Sequence, residues 1–367
     1  MSLKEKTSGG VKHGLRVMLV SMLAGANMAT ILLMCATCLS TYLSPELHPR
    51  LSLAGLLFPV FLGANIMFVF VWLLLSLRWL LLPLLGIVLC WGYVKEYCPI
   101  NIAMDDVPKE NFSVLSYNVA NFIADSSKGM DPQKTLDYIM GSNADVICLQ
   151  ECPHHGQYYT TLSKSLKKQG YAEKKCLGKS IFSKYPFIGK EACRSTDEGH
   201  NGFFAWRINI NGDTVFVLNS HLCSNAITEE EKRNYSQALG SYDKEKMEDS
   251  GRVLLSRLSI AASKRARQIE ELKTVIKDNS AEMLVLAGDL NDTPISYTCQ
   301  QLSLDLKSAF VESGSGLGVS FVRKAFPVRI DHIFVSKNLY TYSTYVDNSI
   351  SSSDHHPILT HVSKCLK

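Results

Sequence analysis

The sequence lacks formal charge over three long stretches near its N-terminus. Residues 17–39, 51–77 and 79–94 contain no Asp, Glu, Lys or Arg. A helix needs about 20 apolar residues to cross the hydrocarbon core of a bilayer, with a range of about 17 to 25. The first two stretches meet this length, and the third is marginal. They predict a membrane region at residues 17–97 with about three transmembrane helices. A cleaved signal peptide is disfavoured because two more apolar stretches follow the first.

Basic residues are scarce in the loop that follows the first apolar stretch, and this scarcity predicts the orientation of the chain in the membrane. Lys4, Lys6, Lys12 and Arg16 precede that stretch, whereas the loop behind it carries only Arg50. The positive-inside rule therefore predicts that residues 1–16 form a cytoplasmic tail. Three spans would place the rest of the chain on the extracytoplasmic side of the cell membrane, and two would keep it inside. We favour three spans.

The sequence also lacks a strong excess of one charge sign and, outside the apolar stretches, any zinc-type pairing of cysteines. Its 38 Lys and Arg face 34 Asp and Glu, so charge alone does not indicate nonspecific binding to nucleic acid. The cysteines outside those stretches show no C-x2-C spacing of the kind that structural zinc sites use. We predict that most are small core residues, with one or two disulfides possible if the domain is exported.

Behind a polar linker at residues 98–110, the pattern changes to alternating strands and helices. Asp131 and Pro132 are typical of a helix N-terminus. An amphipathic helix is predicted at residues 256–279, and the basic side chains within it are interpreted as a solvated face. An Asn-Gly-Asp turn predicts a hairpin. The strand-like runs cover residues 112–119, 144–151, 179–189, 202–212, 213–222, 281–291, 328–336 and 356–362. Interleaved strands and helices predict an α/β or α+β domain at residues 111–367.

Polar side chains recur where these apolar runs end. Each has an ordinary explanation by itself, such as a helix cap, an Asx turn or a hydrogen-bonded core histidine. Because strand ends share a rim of a sheet, the whole series predicts a site. Carboxylates and carboxamides suit Mg²⁺ or Mn²⁺, and a His–Asp pair suits general-base activation of water. The series consists of Asn118, Glu151, His221, Asp289, Asn291, Asp331, Asp354 and His355.

The ordered motifs LSYNV, DVICLQE, NSHL, GDLND, RIDHIFVS and SDHHP resemble the endonuclease/exonuclease/phosphatase superfamily over about residues 111–364. That group includes deoxyribonuclease I-like nucleases, neutral sphingomyelinases and inositol polyphosphate phosphatases. The resemblance implies a four-layered α/β sandwich with two packed central β-sheets. It also implies metal-dependent hydrolysis of phosphoester bonds. It says nothing about residues 1–106.

The resemblance implies a metal site and a phosphate site. Glu151 would be the principal ligand of Mg²⁺, or of Mn²⁺, helped by Asn118, with Asp354 binding or lying near the ion. Asn118, Asn291 and His221 would contact the substrate phosphate, or His221 would instead help the leaving group. Asp289 would contact the scissile phosphate as well, and would hold the nucleophilic water or a second metal.

The resemblance also implies that His355 is the general base and that Asp331 accepts its other ring proton. His356 and His332 are interpreted as bystanders, because neighbouring residues of an extended chain point to opposite faces.

Some positions depart from the repair branch of the superfamily. Ala120 stands where that branch has an acidic residue, and His221 where it commonly has tyrosine. The acidic residue that supports the equivalent of His221 in some members is not identified; Asp197, Glu198 and Asn201 are candidates. Residues 224–251 are interpreted as a loop or lid.

The substrate stays open at this point between nucleic acid and a phospholipid head group. An inactive scaffold on the same fold is the alternative from another class. No protein partner is predicted.

Overall fold

The computed structural model describes residues 3–101, 107–194, 201–225, 237, 244–322 and 327–364. Most of the predicted lid at residues 224–251 lies outside them, as do Asp197 and Glu198. Nine cysteines of the described residues are free thiols: Cys35, Cys38, Cys90, Cys98, Cys148, Cys152, Cys176, Cys223 and Cys299.

The N-terminal region is helical. Two of its helices, His13–Tyr42 and Leu51–Leu75, are long and apolar enough to cross a membrane. The third apolar stretch is bent by 67° between two short helices, so the span predicted at residues 79–94 is not one straight helix. The first helix begins at residue 3, so it includes most of the predicted cytoplasmic tail, whose location stays a prediction. The helices are α1 (Leu3–Leu39), α2 (Phe58–Leu75), α3 (Leu81–Leu89) and α4 (Trp91–Tyr97).

The rest of the described chain contains two six-stranded sheets. The first has the order β11-β12-β1-β2-β4-β3 and the second β5-β6-β7-β8-β10-β9. Only β1/β2 and β7/β8 are parallel among the strand pairs of the described residues. The strands are β1 (Phe112–Asn118), β2 (Val146–Gln150), β3 (Ala172–Cys176), β4 (Lys179–Ser183), β5 (Phe187–Arg194), β6 (Gly202–Ile210), β7 (Asp213–His221), β8 (Met283–Asp289), β9 (Leu306–Ser308), β10 (Asp331–Ser336), β11 (Tyr340–Val346) and β12 (Ile358–Ser363).

The two sheets pack face to face and are covered by helices on their outer faces. Val114 and Val146 of the first sheet share a buried cluster with Val217 and Val285 of the second. Burying each such side chain stabilises the fold by about 1.5–3 kcal/mol. The helices are α5 (Pro132–Gly141), α6 (Gly156–Lys168), α7 (Lys244–Asp278), α8 (Tyr297–Ser303) and α9 (Ala309–Ser313). Helices α5 and α6 cover the first sheet, and α7 and α8 cover the second. The predicted four-layered α/β sandwich is confirmed.

Local sequence signals explain several element boundaries. The carboxylate of Asp131 accepts hydrogen bonds from the backbone N–H groups of Gln133 and Lys134, which caps α5 as predicted. Asn211 and Gly212 both have positive φ in the tight turn between β6 and β7, as the Asn-Gly signal predicts.

Three strands and some boundaries escape sequence reading. Strands β3, β9 and β11 are short or largely polar, so their apolar alternation is weak. Helix α7 begins twelve residues before the predicted start, at Lys244. The basic residues of α7 are also not all solvated: Arg265 is 2% exposed and pairs with Asp292.

Candidate active site

Sheet topology brings the predicted polar residues to one rim. Strand β1 ends at Asn118, β7 at His221 and β8 at Asp289. Strand β10 runs antiparallel to β8, and its first residue, Asp331, pairs with Asp289. Glu151 directly follows β2, which is parallel to β1. Within each sheet, parallel neighbours end on the same side and an antiparallel neighbour starts there. The two sheets meet at these strand ends, since the side chain of Asn118 in the first sheet contacts that of Asp289 in the second.

Three potential metal ligands form a first cluster. Donor atoms of Glu151, His221 and Asp289 all lie within 4.8 Å of one another. Nε2 of His221 is 3.6 Å from Oε1 of Glu151 and 3.6 Å from Oδ2 of Asp289. The site therefore combines two carboxylates and one imidazole, a donor set that a divalent cation can accept.

Asn118 lies between the two carboxylates. Its Nδ2 donates to Oε1 of Glu151 at 3.1 Å and to Oδ2 of Asp289 at 3.0 Å. Its Oδ1 accepts from the backbone N–H of Ala120. In this arrangement Asn118 orients the carboxylates, and its predicted direct contact with metal or phosphate stays a prediction.

A second cluster shares Asp289 and adds a His–Asp pair. Nδ1 of His355 lies 2.8 Å from Oδ2 of Asp331, and its Nε2 lies 3.7 Å from Oδ2 of Asp289. Both residues of the pair are almost fully buried. The backbone N–H of Asp331 donates to Oγ of Ser320. The side chains are therefore fixed, with one ring nitrogen bound to Asp331 and the other facing the first cluster.

Burial and charge shift the protonation of this second cluster. Burial raises the pKa of Asp289 to about 7; His355 opposes the rise, and Asp331 adds to it. Burial alone would lower the pKa of His355, but the carboxylates of Asp331 and Asp289 outweigh it and the pKa is raised. Both shifts follow from holding two carboxylates and one imidazole together away from water.

The backbone at the rim is unusual. Glu151 and Asn291 have φ of 45° and 53°, in the left-handed region that costs a non-glycine residue on the order of 1–3 kcal/mol. Gly288 has φ of 154°, and a Cβ there would lie 1.9 Å from the carbonyl oxygen of Ser220. The space that Gly288 leaves is therefore filled by strand β7.

Asn291 holds Asp289 in place through its backbone. Its N–H donates to Oδ1 of Asp289 at 2.8 Å, and its Nδ2 donates to the carbonyl of Leu222 at 3.0 Å. The chain turns at Asn291, so an extended strand does not place the two side chains on one side. The predicted contact of Asn291 with phosphate stays a prediction.

The remaining predicted residues lie around these clusters. Among the described residues, Asp354 belongs to neither group of mutually close ligand atoms, and its metal role stays a prediction. The ring of His356 donates to the carbonyl of Ile350. His332 contacts the carbonyl of Asp292, and burial lowers its pKa to about 3. Neither bystander histidine joins the clusters.

Several supporting residues were missed in the sequence. Nδ2 of Asn121 donates to Oε2 of Glu151 at 2.9 Å, and Oγ of Ser353 donates to the carbonyl of Asn118. Beneath the rim, Nε2 of Gln150 donates to Oδ1 of Asn219 at 2.8 Å, which joins the two sheets. A signal for the last pair exists, since each is an amide inside an apolar run.

Comparison with known proteins adds a family match. A family model described as "Endonuclease/Exonuclease/phosphatase family" matches residues 115–355, more than half of the chain. A second model, a domain of unknown function, matches residues 20–97. No curated protein matches.

Several solved structures are similar. The human Nocturnin catalytic domain with bound sulfate anion is 16% identical, with a TM-score of 0.49 over 70% of this chain and 95% of that one. An endonuclease/exonuclease/phosphatase from Beutenbergia cavernae is 16% identical, with a TM-score of 0.47 over 69% and 71%. Humanized D. rerio TDP2 is 15% identical, with a TM-score of 0.47 over 69% and 99%.

Proposed function

The chain belongs to the endonuclease/exonuclease/phosphatase family, and we propose that it is a membrane-anchored, divalent-metal-dependent phosphodiesterase. The observation that carries the proposal is that Asp289 is shared by two clusters. On one side it faces Glu151 and His221, and on the other it faces the pair His355 and Asp331. A possible metal site and a possible general base are thus in direct contact.

The donor set fits a hard divalent cation. Glu151 and Asp289 offer carboxylate oxygens, which Mg²⁺ and Mn²⁺ prefer, and no cysteine belongs to the clusters of the described residues. Asn118 and Asn121 hold Glu151 in orientation from two sides. When bound, such an ion supplies positive charge that stabilises the negative charge developing on the phosphate oxygens.

The chain's own residues would supply the proton transfer. Because Asp331 accepts from Nδ1 of His355, the free nitrogen is Nε2, which faces Asp289. Nε2 would take the proton of the attacking water, and Asp331 would stabilise the imidazolium that forms. His221 and Asn291 would contact the substrate phosphate from the other side of Asp289.

The membrane region would hold this site at a bilayer. The loop after α1 contacts the catalytic domain, since Oγ of Ser263 donates to the carbonyl of Pro45 at 2.8 Å. The end of α4 contacts it as well, since the Arg329 guanidinium donates to the carbonyl of Glu96. The loop after α1 and the end of α4 thus contact the same domain and would lie on the same side of the membrane. This supports three crossings. With basic residues at the N-terminus inside, the domain would be extracytoplasmic.

A lipid head group is the second candidate substrate, beside nucleic acid. Arg329, which contacts the end of α4, lies two residues before Asp331 in the chain. Two residues of extended chain span about 7 Å, so the catalytic edge is close to the membrane region. This favours sphingomyelinase-like or inositol-phosphate phosphatase activity. An inactive scaffold is disfavoured because both clusters are complete.

Turnover by the full chain in lipid nanodiscs tests the function. We expect hydrolysis of bis-p-nitrophenyl phosphate, plasmid DNA or sphingomyelin with Mg²⁺ or Mn²⁺, and none with EDTA. Glu151→Gln should raise the Mn²⁺ concentration for half-maximal activity by at least about tenfold. Asp137→Asn removes an equal charge from an exposed helix position and should change nothing. Absence of turnover on the whole panel would refute the enzyme.

A further inference from the structure

The N-terminal half of helix α7 exposes an apolar stripe. Val253 and Ile260 are 45% and 53% exposed. Residues seven apart lie on nearly the same face of a helix, because two turns take 7.2 residues. The next position in this stripe is Arg267, whose guanidinium pairs with Glu46 in the loop between α1 and α2. The stripe therefore lies on the face of α7 that meets the membrane region.

Toward the N-terminus of α7, its contact partners come to lie closer in the chain to the start of α2. Arg267 contacts Glu46, and Ser263 contacts Pro45. One residue earlier, Ala262 lines a small cavity together with Ser52, Leu53 and Leu56, which lie just before the first residue of α2. Val253 and Ile260 come still earlier in α7. The N-terminal half of α7 therefore extends from the loop between α1 and α2 toward the start of α2, where that helix would enter the lipid.

The exposed surface at that level is apolar on both partners. Leu51 and Leu57, at the two ends of the short helical segment before α2, are 60% and 52% exposed, and this segment contacts α7. Lys264 adds a basic side chain to the same face of the helix. The acidic residues Glu248 and Asp249, which precede the stripe, lie within 3.9 and 4.0 Å of Arg252. Apolar side chains beside basic ones are typical of a helix that lies in a membrane interface.

We propose that α7 from Val253 to Ile260 rests on the lipid surface of the bilayer in which the chain is anchored. The two apolar side chains would lie at the boundary between head groups and acyl chains. The opposite face of α7 carries Arg265, which pairs with Asp292 beside Asn291. The lipid contact would thus support the same rim that bears the site. The proposal depends on the membrane anchoring proposed above.

The test uses the full chain in nanodiscs with a fluorescent amino acid (Anap) incorporated at one position at a time. Its positions are Val253, Ile260 and, as a matched control, Thr274, which is exposed two heptads after Ile260 on the same face. Phosphatidylcholine with brominated acyl chains serves as quencher. The native side chains of Trp79 and Trp91, 40% and 53% exposed in the apolar stretches, report membrane insertion at a separate excitation wavelength.

We expect brominated lipid to quench the probe at both stripe positions at least twofold and to leave the probe at Thr274 unchanged. Quenched tryptophans with an unquenched probe at Val253 and Ile260 would overturn the lipid contact alone. Equal quenching of the probe at Thr274 would show that the lipid contact is not restricted to the N-terminal half of α7. Unquenched tryptophans would overturn the membrane anchoring and this proposal together. Two independent stripe positions guard against one label that perturbs folding.

Discussion

The proposed membrane region (residues 17–97) and the proposed catalytic domain (residues 111–367) each bury a polar cluster, but the two clusters differ in charge. In the membrane region the cluster is neutral. Nδ2 of Asn27 donates to Oδ1 of Asn65, and Nε1 of Trp72 donates to Oδ1 of Asn27 at 3.0 Å. All three side chains are fully buried between α1 and α2. Such amide contacts join helices where lipid offers no hydrogen-bond partner.

In the catalytic domain the buried cluster is ionisable. Asp289, Asp331 and His355 lie against one another with at most 4% of any of them exposed. Burying charge is costly unless it is paired; here burial raises the pKa of Asp289, whereas the carboxylates of Asp331 and Asp289 raise the pKa of His355 against the effect of burial. The comparison teaches that neutral polar groups are sufficient for packing, whereas buried charges concentrate where chemistry is proposed.

Removal of the imidazole should have the largest effect. His355→Ala deletes the proposed base, so kcat should fall about 10²–10⁴-fold while Mn²⁺ affinity, measured by calorimetry, changes little. His356→Gln is the matched control, because the ring of this neighbour donates to the carbonyl of Ile350 and belongs to neither cluster of the described residues. Equal losses in both variants would show that the ionisable cluster has only a structural role.

The contact between the two regions predicts the next effect. A Cβ at Gly55 would lie 2.1 Å from the carbonyl oxygen of Ile295, whose side chain packs among the membrane helices. Gly55→Ala should therefore destabilise the protein by about 1–3 kcal/mol, the usual cost of overpacking. Thermal unfolding in nanodiscs measures it.

Gly63→Ala is the control for that variant, since no atom lies within 4 Å of its added Cβ. Because Ile295 lies four residues after Asn291, Gly55→Ala should also lower kcat. Full stability and activity in this variant would show that the two regions do not depend on each other.

The charge coupling predicts a pH effect. Asp331 raises the pKa of His355, so Asp331→Asn should lower that pKa. A base works only when neutral, and the acidic limb of kcat/KM against pH should therefore move to lower pH by about one unit or more, equal to about 1.4 kcal/mol. Asp213→Asn, an exposed carboxylate beside Lys364, is the control. If the acidic limb does not move, His355 is not the group whose titration limits kcat/KM.

The two regions also differ in what their sequence reveals. Apolar length alone indicated two of the membrane helices, and strand-end polarity indicated the residues of both clusters. The bend in the third stretch could not be predicted, because the apolar composition of a segment does not indicate the direction of its helix axis. Contacts such as Arg267 with Glu46 join positions 221 residues apart, and only the folded chain brings them together.

The missed site residues show a further limit. Asn121 and Ser353 contact Glu151 and the backbone of Asn118, yet they lie in a short 3₁₀ turn and a loop whose polar composition is ordinary. The contact of Asn121 depends on the left-handed backbone of Glu151, and residue propensities do not predict that conformation for a glutamate. By contrast, Gln150 interrupts a buried run, and an amide there could have been singled out as a buried group that needs a partner.

The neutral cluster predicts the smallest effect and gives the sharpest check of the comparison. Asn65→Leu keeps the branched shape and the number of side-chain heavy atoms but removes the acceptor of the Asn27 amide, so unfolding in lipid micelles should be easier by about 0.6–1.7 kcal/mol. Catalytic pH dependence should not change, because no titrating group is involved. The control is Ile66→Leu, at the adjacent position, which is 44% exposed. A shifted pH profile in Asn65→Leu would mean that the membrane cluster is coupled to the catalytic charges, since packing alone cannot move a proton equilibrium at the rim.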